Sequence, residues 1–164
     1  MLKCFGPIVD KNAKVLILGS MPGKESLKMQ QYYAYRRNHF WEIICSIFDE
    51  SVNDDYKQKI IFLKEHGLAL WDVINSCERE GSLDANIRNE EINDFTLFLK
   101  QYPNIKHVCF NGAKAESSFK KYIGFNRFNG IKFYRLPSTS PANTQHYDQK
   151  IAAWKIIRTL IEQY

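Results

Sequence analysis

Four short runs rich in apolar residues limit what this chain can become. Residues 14–18, 68–71, 105–110 and 131–136 each stop abruptly, at Gly19, Asp72, Asn111 and Pro137. Strands covered on both faces of a sheet read this way. Between the runs lie helical repeats. Phe40, Ile43, Ile44, Ile47 and Phe48 recur on one face, and Tyr56, Ile60 and Leu63 form another stripe that starts near residues 53–55. Ile92, Phe95 and Leu99 predict a third helix, with Glu90 and Glu91 placed for its N-terminal dipole. Residues 113–122 predict a fourth. Ile151, Trp154, Ile157 and Ile161, widened by Ala153, Ile156 and Leu160, predict a long closing helix. Strands that alternate with helices imply right-handed crossovers and a mainly parallel sheet, an α/β fold. The stretch from Asp72 to Ile87 has no clear period and reads as a long polar loop. With no repeat or linker, residues 1–164 are expected to form one domain.

In such folds ligands bind beyond the carboxyl ends of the strands. Four segments fall there: residues 19–23, Asp72 onward, Asn111-Gly112, and residues 138–143. They are unusually rich in Gly, Ser, Asn and Asp. The first connection, residues 19–41, is far longer than the usual two to six residues, and such connections tend to be functional. Asn38 at its end is a suitable N-cap for the Phe40 helix. Gly19 and Gly23 would let the backbone approach a ligand closely.

Composition narrows the partner. The net charge is +5, and 14% of residues are aromatic. Cations for phosphate and rings for base stacking suit a nucleic acid, and an aromatic core under a basic surface accounts for the same numbers. No apolar run reaches the length of a membrane span, and no secretory pattern opens the chain, so a cytoplasmic location is expected. The four cysteines contain no C-x-x-C pair, and none of the four histidines has another at i+3 or i+4, so no metal and no cofactor is expected. The G-S-M-P-G-K stretch lacks the Lys-Ser/Thr pair of a Walker loop, which disfavours nucleotide hydrolysis. Ser138, Thr139 and Ser140 lack a nucleophile elbow and suit phosphate contacts better.

The pieces GSMPG, YYAYRRNHFW, ALWDVINSCEREGSLDANI, FNGAKAESSF and LPSTSPAN follow one another along nearly the whole chain. In that order they resemble the uracil-DNA glycosylase superfamily, and within it the hypoxanthine-DNA (deoxyinosine) glycosylase branch. The resemblance implies a three-layer α/β/α sandwich around a four-stranded parallel sheet. It implies a monofunctional DNA N-glycosylase that flips a deaminated base, hypoxanthine before uracil, out of DNA and removes it hydrolytically, acting as a monomer. A uracil-DNA or mismatch-specific uracil glycosylase, and a non-catalytic DNA-binding domain on the same fold, are the alternatives.

The resemblance also implies roles. Many members carry an Asn or Asp for the attacking water where this chain has Met21; in the resembled branch that role falls to the position of Asn38. Tyr33 matches the ring that stacks on the flipped base, and Asp72 the strand-end residue that reads its edge. The backbone amides of Ser20 and Met21 would receive the base's carbonyl oxygen, with Gly23 in the same loop against the DNA. Arg36 and Arg37 would contact phosphates. Ser138, Ser140 and Asn143 belong to the loop that grips phosphates and enters the duplex. Three positions depart from the pattern: Tyr35-Arg36 stands where the branch often has His-Pro, Ser138 or Thr139 where some relatives have a histidine, and Ala142-Asn143 where a bulky wedge is usual.

Overall fold

The computed structural model describes residues 1–163. Its centre is a four-stranded parallel sheet in the order β3-β2-β6-β7, made of β2 (Val15–Gly19), β3 (Leu68–Asp72), β6 (His107–Asn111) and β7 (Lys132–Leu136). All three pairings are parallel and in continuous register. Side chains alternate across a strand, and here both sets are apolar. Val15, Ile17, Leu68, Leu70, Cys109 and Leu136 face one layer of helices. That layer holds α2 (Phe40–Ser46), α3 (Tyr56–Glu65), α6 (Tyr147–Trp154) and α7 (Ile156–Glu162). Leu16, Leu18, Ala69, Val108 and Phe110 face the other. That one holds α4 (Phe95–Gln101) and α5 (Ala113–Tyr122). The result is the three-layer α/β/α sandwich.

The helix starts explain themselves locally. Asp55 and Asp94 accept the N–H groups of Lys57 and Leu97 at 3.0 Å and cap α3 and α4. Glu90 and Glu91 therefore do not serve the dipole of α4. They lie on β5 (Arg88–Ile92), and the expected helix begins only at Phe95. The expected polar loop after Asp72 is also structured. β4 (Ile74–Glu78) pairs antiparallel with β5 and with β1 (Leu2–Lys3), and a 3-10 turn spans Asp84–Asn86. Two register shifts between β4 and β5 break the period-2 pattern that would have revealed this sheet. The long first connection contains a further short helix, α1 (Lys24–Met29). The closing helix is interrupted at Lys155, whose backbone stays in the right-handed helical region. No helix among the described residues is long and apolar enough to cross a membrane.

Candidate active site at the carboxyl ends of the strands

β2 ends at Gly19, β3 at Asp72 and β6 at Asn111, while the chain leaves β7 after Leu136. The parallel register brings these ends to one rim, and the first connection and the 137–146 loop close over it.

Asp72 is 3% exposed, and its Oδ2 has no hydrogen-bond partner among the described residues. The backbone beneath it is held: Asn93 Nδ2 donates to the Asp72 main-chain oxygen at 2.8 Å. Burial, reinforced by the Asp84 charge and opposed by Arg79, pushes the Asp72 carboxyl from 3.8 up to about 7. Gly19 gives it room. A β-carbon there would lie 2.6 Å from Asp72 Oδ1 and 2.9 Å from the Tyr33 hydroxyl. Gly19→Ala is accordingly expected to displace both groups. Overpacking of this kind costs about 1–3 kcal/mol, and base release should fall by more than the stability loss explains. Wild-type turnover in a folded Gly19→Ala protein would show that the Asp72–Tyr33 juxtaposition is not used.

Tyr33 is half-buried and sits at φ +53°, a left-handed conformation that a bulky residue adopts only under constraint. The constraints are visible. One face of its ring stacks on Phe40, with centroids 4.1 Å apart and planes 21° apart. Its hydroxyl accepts Asn111 Nδ2 at 3.0 Å. Burial, and then the Asp72 charge, raise its pKa well above the usual tyrosine value.

Asn111 extends the chain of bonds. Its Nδ2 also donates to Thr139 Oγ1, and its Oδ1 accepts the Thr139 N–H, both at 3.0 Å. Thr139 Oγ1 donates in turn to Asn38 Oδ1 at 2.8 Å. Asn38 Oδ1 accepts the Phe40 N–H as well, at 3.0 Å. That second bond fixes the amide, because a flipped Asn38 would set donor against donor. Asn38 thus caps the first turn of α2 from two residues ahead of Phe40, while the residue at the N-cap itself is His39. A continuous network runs from Tyr33 through Asn111 and Thr139 to Asn38 and leaves Asn38 Nδ2 outside these bonds.

The first loop is clamped by the connection between β4 and β5. Ser20 Oγ donates to Asp84 Oδ1 at 2.6 Å, Ser82 Oγ accepts the Lys24 N–H at 2.9 Å, and Arg79 Nη2 donates to the Pro22 carbonyl at 2.7 Å. The carbonyls of Gly19 and Ser20 accept Val73 and Ile74, but the N–H groups of Ser20 and Met21 meet no acceptor among the described residues. The Met21 side chain turns away into a small core with Ile74, Cys77 and Ile87.

The remaining predicted site residues are spread around this centre. Gly23 begins α1 at φ −71°, a conformation open to any residue, and a β-carbon there would meet Ser82 only at ordinary contact distance. Arg36 and Arg37 are exposed. Ser138, Ser140 and Asn143 bond one another: Ser138 Oγ accepts the Ser140 N–H at 3.1 Å, and Asn143 Nδ2 donates to the Ser138 carbonyl at 3.0 Å. Among the described residues no group of three or more His, Cys, Asp or Glu is placed to hold a metal ion.

Sequence reasoning did not assign Asn111, Asp84 or Lys150. Asn111 at a strand end, before a glycine that adopts φ +96°, was the available signal for the first. Lys150 is only 2% exposed and stands four residues before Trp154 and seven before Ile157, on the buried stripe. That spacing alone would have placed it inside.

Comparison with known proteins agrees with this architecture. Residues 7–160 match the Uracil DNA glycosylase superfamily. The chain is 37% identical over 154 residues to the Hypoxanthine DNA glycosylase of Methanosarcina acetivorans, covering 93% of this chain and 95% of that one. It is 36% identical over 151 residues to the Hypoxanthine DNA glycosylase of Methanosarcina barkeri, covering 92% and 93%. The solution NMR structure of a Methanosarcina acetivorans protein superposes with a TM-score of 0.83 at 36% identity, covering 96% of this chain and 97% of that one. The chain belongs to the uracil DNA glycosylase superfamily.

Proposed function

We propose that this protein excises hypoxanthine from deoxyinosine in DNA. The observation that carries the reading is the buried Asp72 carboxylate, its Oδ2 unpartnered among the described residues, near the Tyr33 hydroxyl. The two similar proteins named Hypoxanthine DNA glycosylase support the same substrate. A base inside the duplex is out of reach, so it must be extruded at a cost of a few kcal/mol, less when it is mispaired. Hypoxanthine pairs poorly with thymine. The extruded base takes the face of Tyr33 that Phe40 leaves uncovered. Asp72, ionised, accepts the ring N1–H that deamination creates. Adenine has a lone pair there and is repelled.

The glycosidic bond then breaks with its electron pair going to the base. The N–H groups of Ser20 and Met21 receive the charge that grows on its carbonyl oxygen. The sugar passes through a cation-like state that a neutral water can attack. Both lone pairs of Asn38 Oδ1 are engaged, so Asn38 Nδ2 holds the water by its oxygen, and the second lone pair of that water faces the sugar carbon. The water's proton leaves to solvent or to the departing base, giving free hypoxanthine and an abasic sugar. Uracil, which also offers an N–H beside a carbonyl, is the second reading, and the superfamily match favours keeping it.

The test is release of free base from matched duplexes that carry deoxyinosine, deoxyuridine or deoxyadenosine at one position. Two results should accompany it. Base release is expected to persist in excess EDTA, since neither the acid–base groups nor the donors above call on a metal; loss on chelation with rescue by zinc would contradict the site. DNA affinity should fall steeply between low and physiological salt as Arg36, Arg37 and the other surface cations release counterions. A flat salt dependence would point instead to a small-molecule substrate.

A further inference from the structure

The 137–146 loop rests on a buried lysine. Lys150, on α6, donates through Nζ to the carbonyls of Ser140 at 3.3 Å and Asn143 at 2.9 Å. Both partners are neutral, and Lys150 makes no ion pair among the described residues. A charge this enclosed is held at a penalty unless something anionic approaches it.

The loop's peptide groups show where that anion would sit. The Thr139 N–H goes to Asn111 Oδ1, Ser140 to Ser138 Oγ, Ala142 to Ser140 Oγ, Asn143 to the Ser140 carbonyl and Gln145 to Asn143 Oδ1. Pro141 has no N–H. From 139 to 145, Thr144 is left as the one amide without an acceptor among the described residues. A trans peptide points its N–H opposite to its carbonyl. No peptide bond here is cis, so drawing the Asn143 carbonyl inward to Lys150 turns the Thr144 N–H outward, where Thr144 is exposed.

We propose that Lys150 is a positioning residue for a single backbone phosphate of the DNA, which binds the Thr144 N–H. The ammonium never touches the phosphate. It orients the Asn143–Thr144 peptide and adds a positive charge behind it. This rests on the reading of the rim as a DNA site, and it adds a recognition point that the exposed arginines do not supply.

The experiment is a cycle between Lys150→Met and uncharged methylphosphonate links placed one at a time along a duplex that carries deoxyinosine, with dissociation constants measured by anisotropy. In the unaltered protein one link near the lesion should weaken binding about tenfold, as expected for a lost hydrogen bond to a charged group. Lys150→Met should weaken binding to the natural duplex about as much, and the same link should then cost nothing further. Equal sensitivity to every link in both proteins overturns the proposal, as does unaltered affinity of a folded Lys150→Met. If that variant does not fold, Lys150→Gln is read in the same cycle, because it keeps donors for the carbonyls without the charge. Thr144→Pro in the otherwise unaltered protein must also abolish the effect of that one link, and its persistence overturns the proposal. Absence of DNA binding by the unaltered protein would instead sink the DNA reading as a whole.

Discussion

Asn38→Ser is expected to slow base release by about 10²–10³-fold, the loss seen when a polar group that stabilises a transition state is deleted. The same change should cost little stability. Serine can still accept the Phe40 N–H in a short turn, but it cannot reach Thr139 Oγ1, which Asn38 Oδ1 holds at 2.8 Å. One such bond is worth about 1 kcal/mol, so a melting temperature lower by about 2–4 °C should accompany the loss. Asn38→Asp separates the two ends of the amide. It keeps both bonds accepted by Oδ1 and removes Nδ2, so it too should fail if Nδ2 holds the water. Full turnover by Asn38→Asp would move the water to the oxygen. Full turnover by Asn38→Ser would remove Asn38 from the chemistry.

Asp72→Asn is expected to act on both stability and selectivity. Burial raises the Asp72 carboxyl from 3.8 to about 7, so the folded protein holds this proton more tightly than the unfolded chain does. Its contribution is therefore complete below about pH 4 and is lost as the pH rises through 7. The cost of ionising it in the folded state is about 4 kcal/mol as an upper bound. Asp72→Asn should melt higher than the unaltered protein at pH 8 and show little difference at pH 4. A melting difference independent of pH would mean that Asp72 is not the buried proton-binding group described. On the proposed reading, the same proton is expected to govern selectivity. Ionised Asp72 would accept from hypoxanthine N1–H, whereas protonated Asp72 would donate to adenine N1. Discrimination between deoxyinosine and deoxyadenosine should therefore weaken below about pH 7, and in Asp72→Asn it should be weak at every pH. Selectivity that is unchanged in the variant would make Asp72 structural.

The sandwich was legible because its strands are buried on both faces and its helices carry single apolar stripes. Val15 to Leu18 could be nothing but a core strand, and Ala113 to Tyr122 was bounded correctly by Gly112 and the apolar period. The antiparallel sheet was hidden because Ser76 and Cys77 are both buried next to each other, an irregularity that breaks alternation. Glu90 and Glu91 suited a helix start and a strand equally well, and pairing with β4 decided it. The rim itself was readable, since topology places Gly19, Asp72 and Asn111 at strand ends. What joins them was not. Asn38 and Thr139 lie 101 positions apart, and no local pattern announces that the hydroxyl of one meets the amide oxygen of the other. Thr139 was expected as a phosphate contact and as the place where some relatives have a histidine, whereas here it is fully buried and links Asn38 to Asn111.

The measurement that bears most directly on this account is chemical identification of the base released from duplex DNA with a single deoxyinosine, alongside equal duplexes carrying deoxyuridine and deoxyadenosine. Free hypoxanthine and an alkali-labile abasic site are expected from the first, slower or no release from the second and none from the third, all near neutral pH. Binding of the deoxyinosine duplex without release of any free base would contradict it.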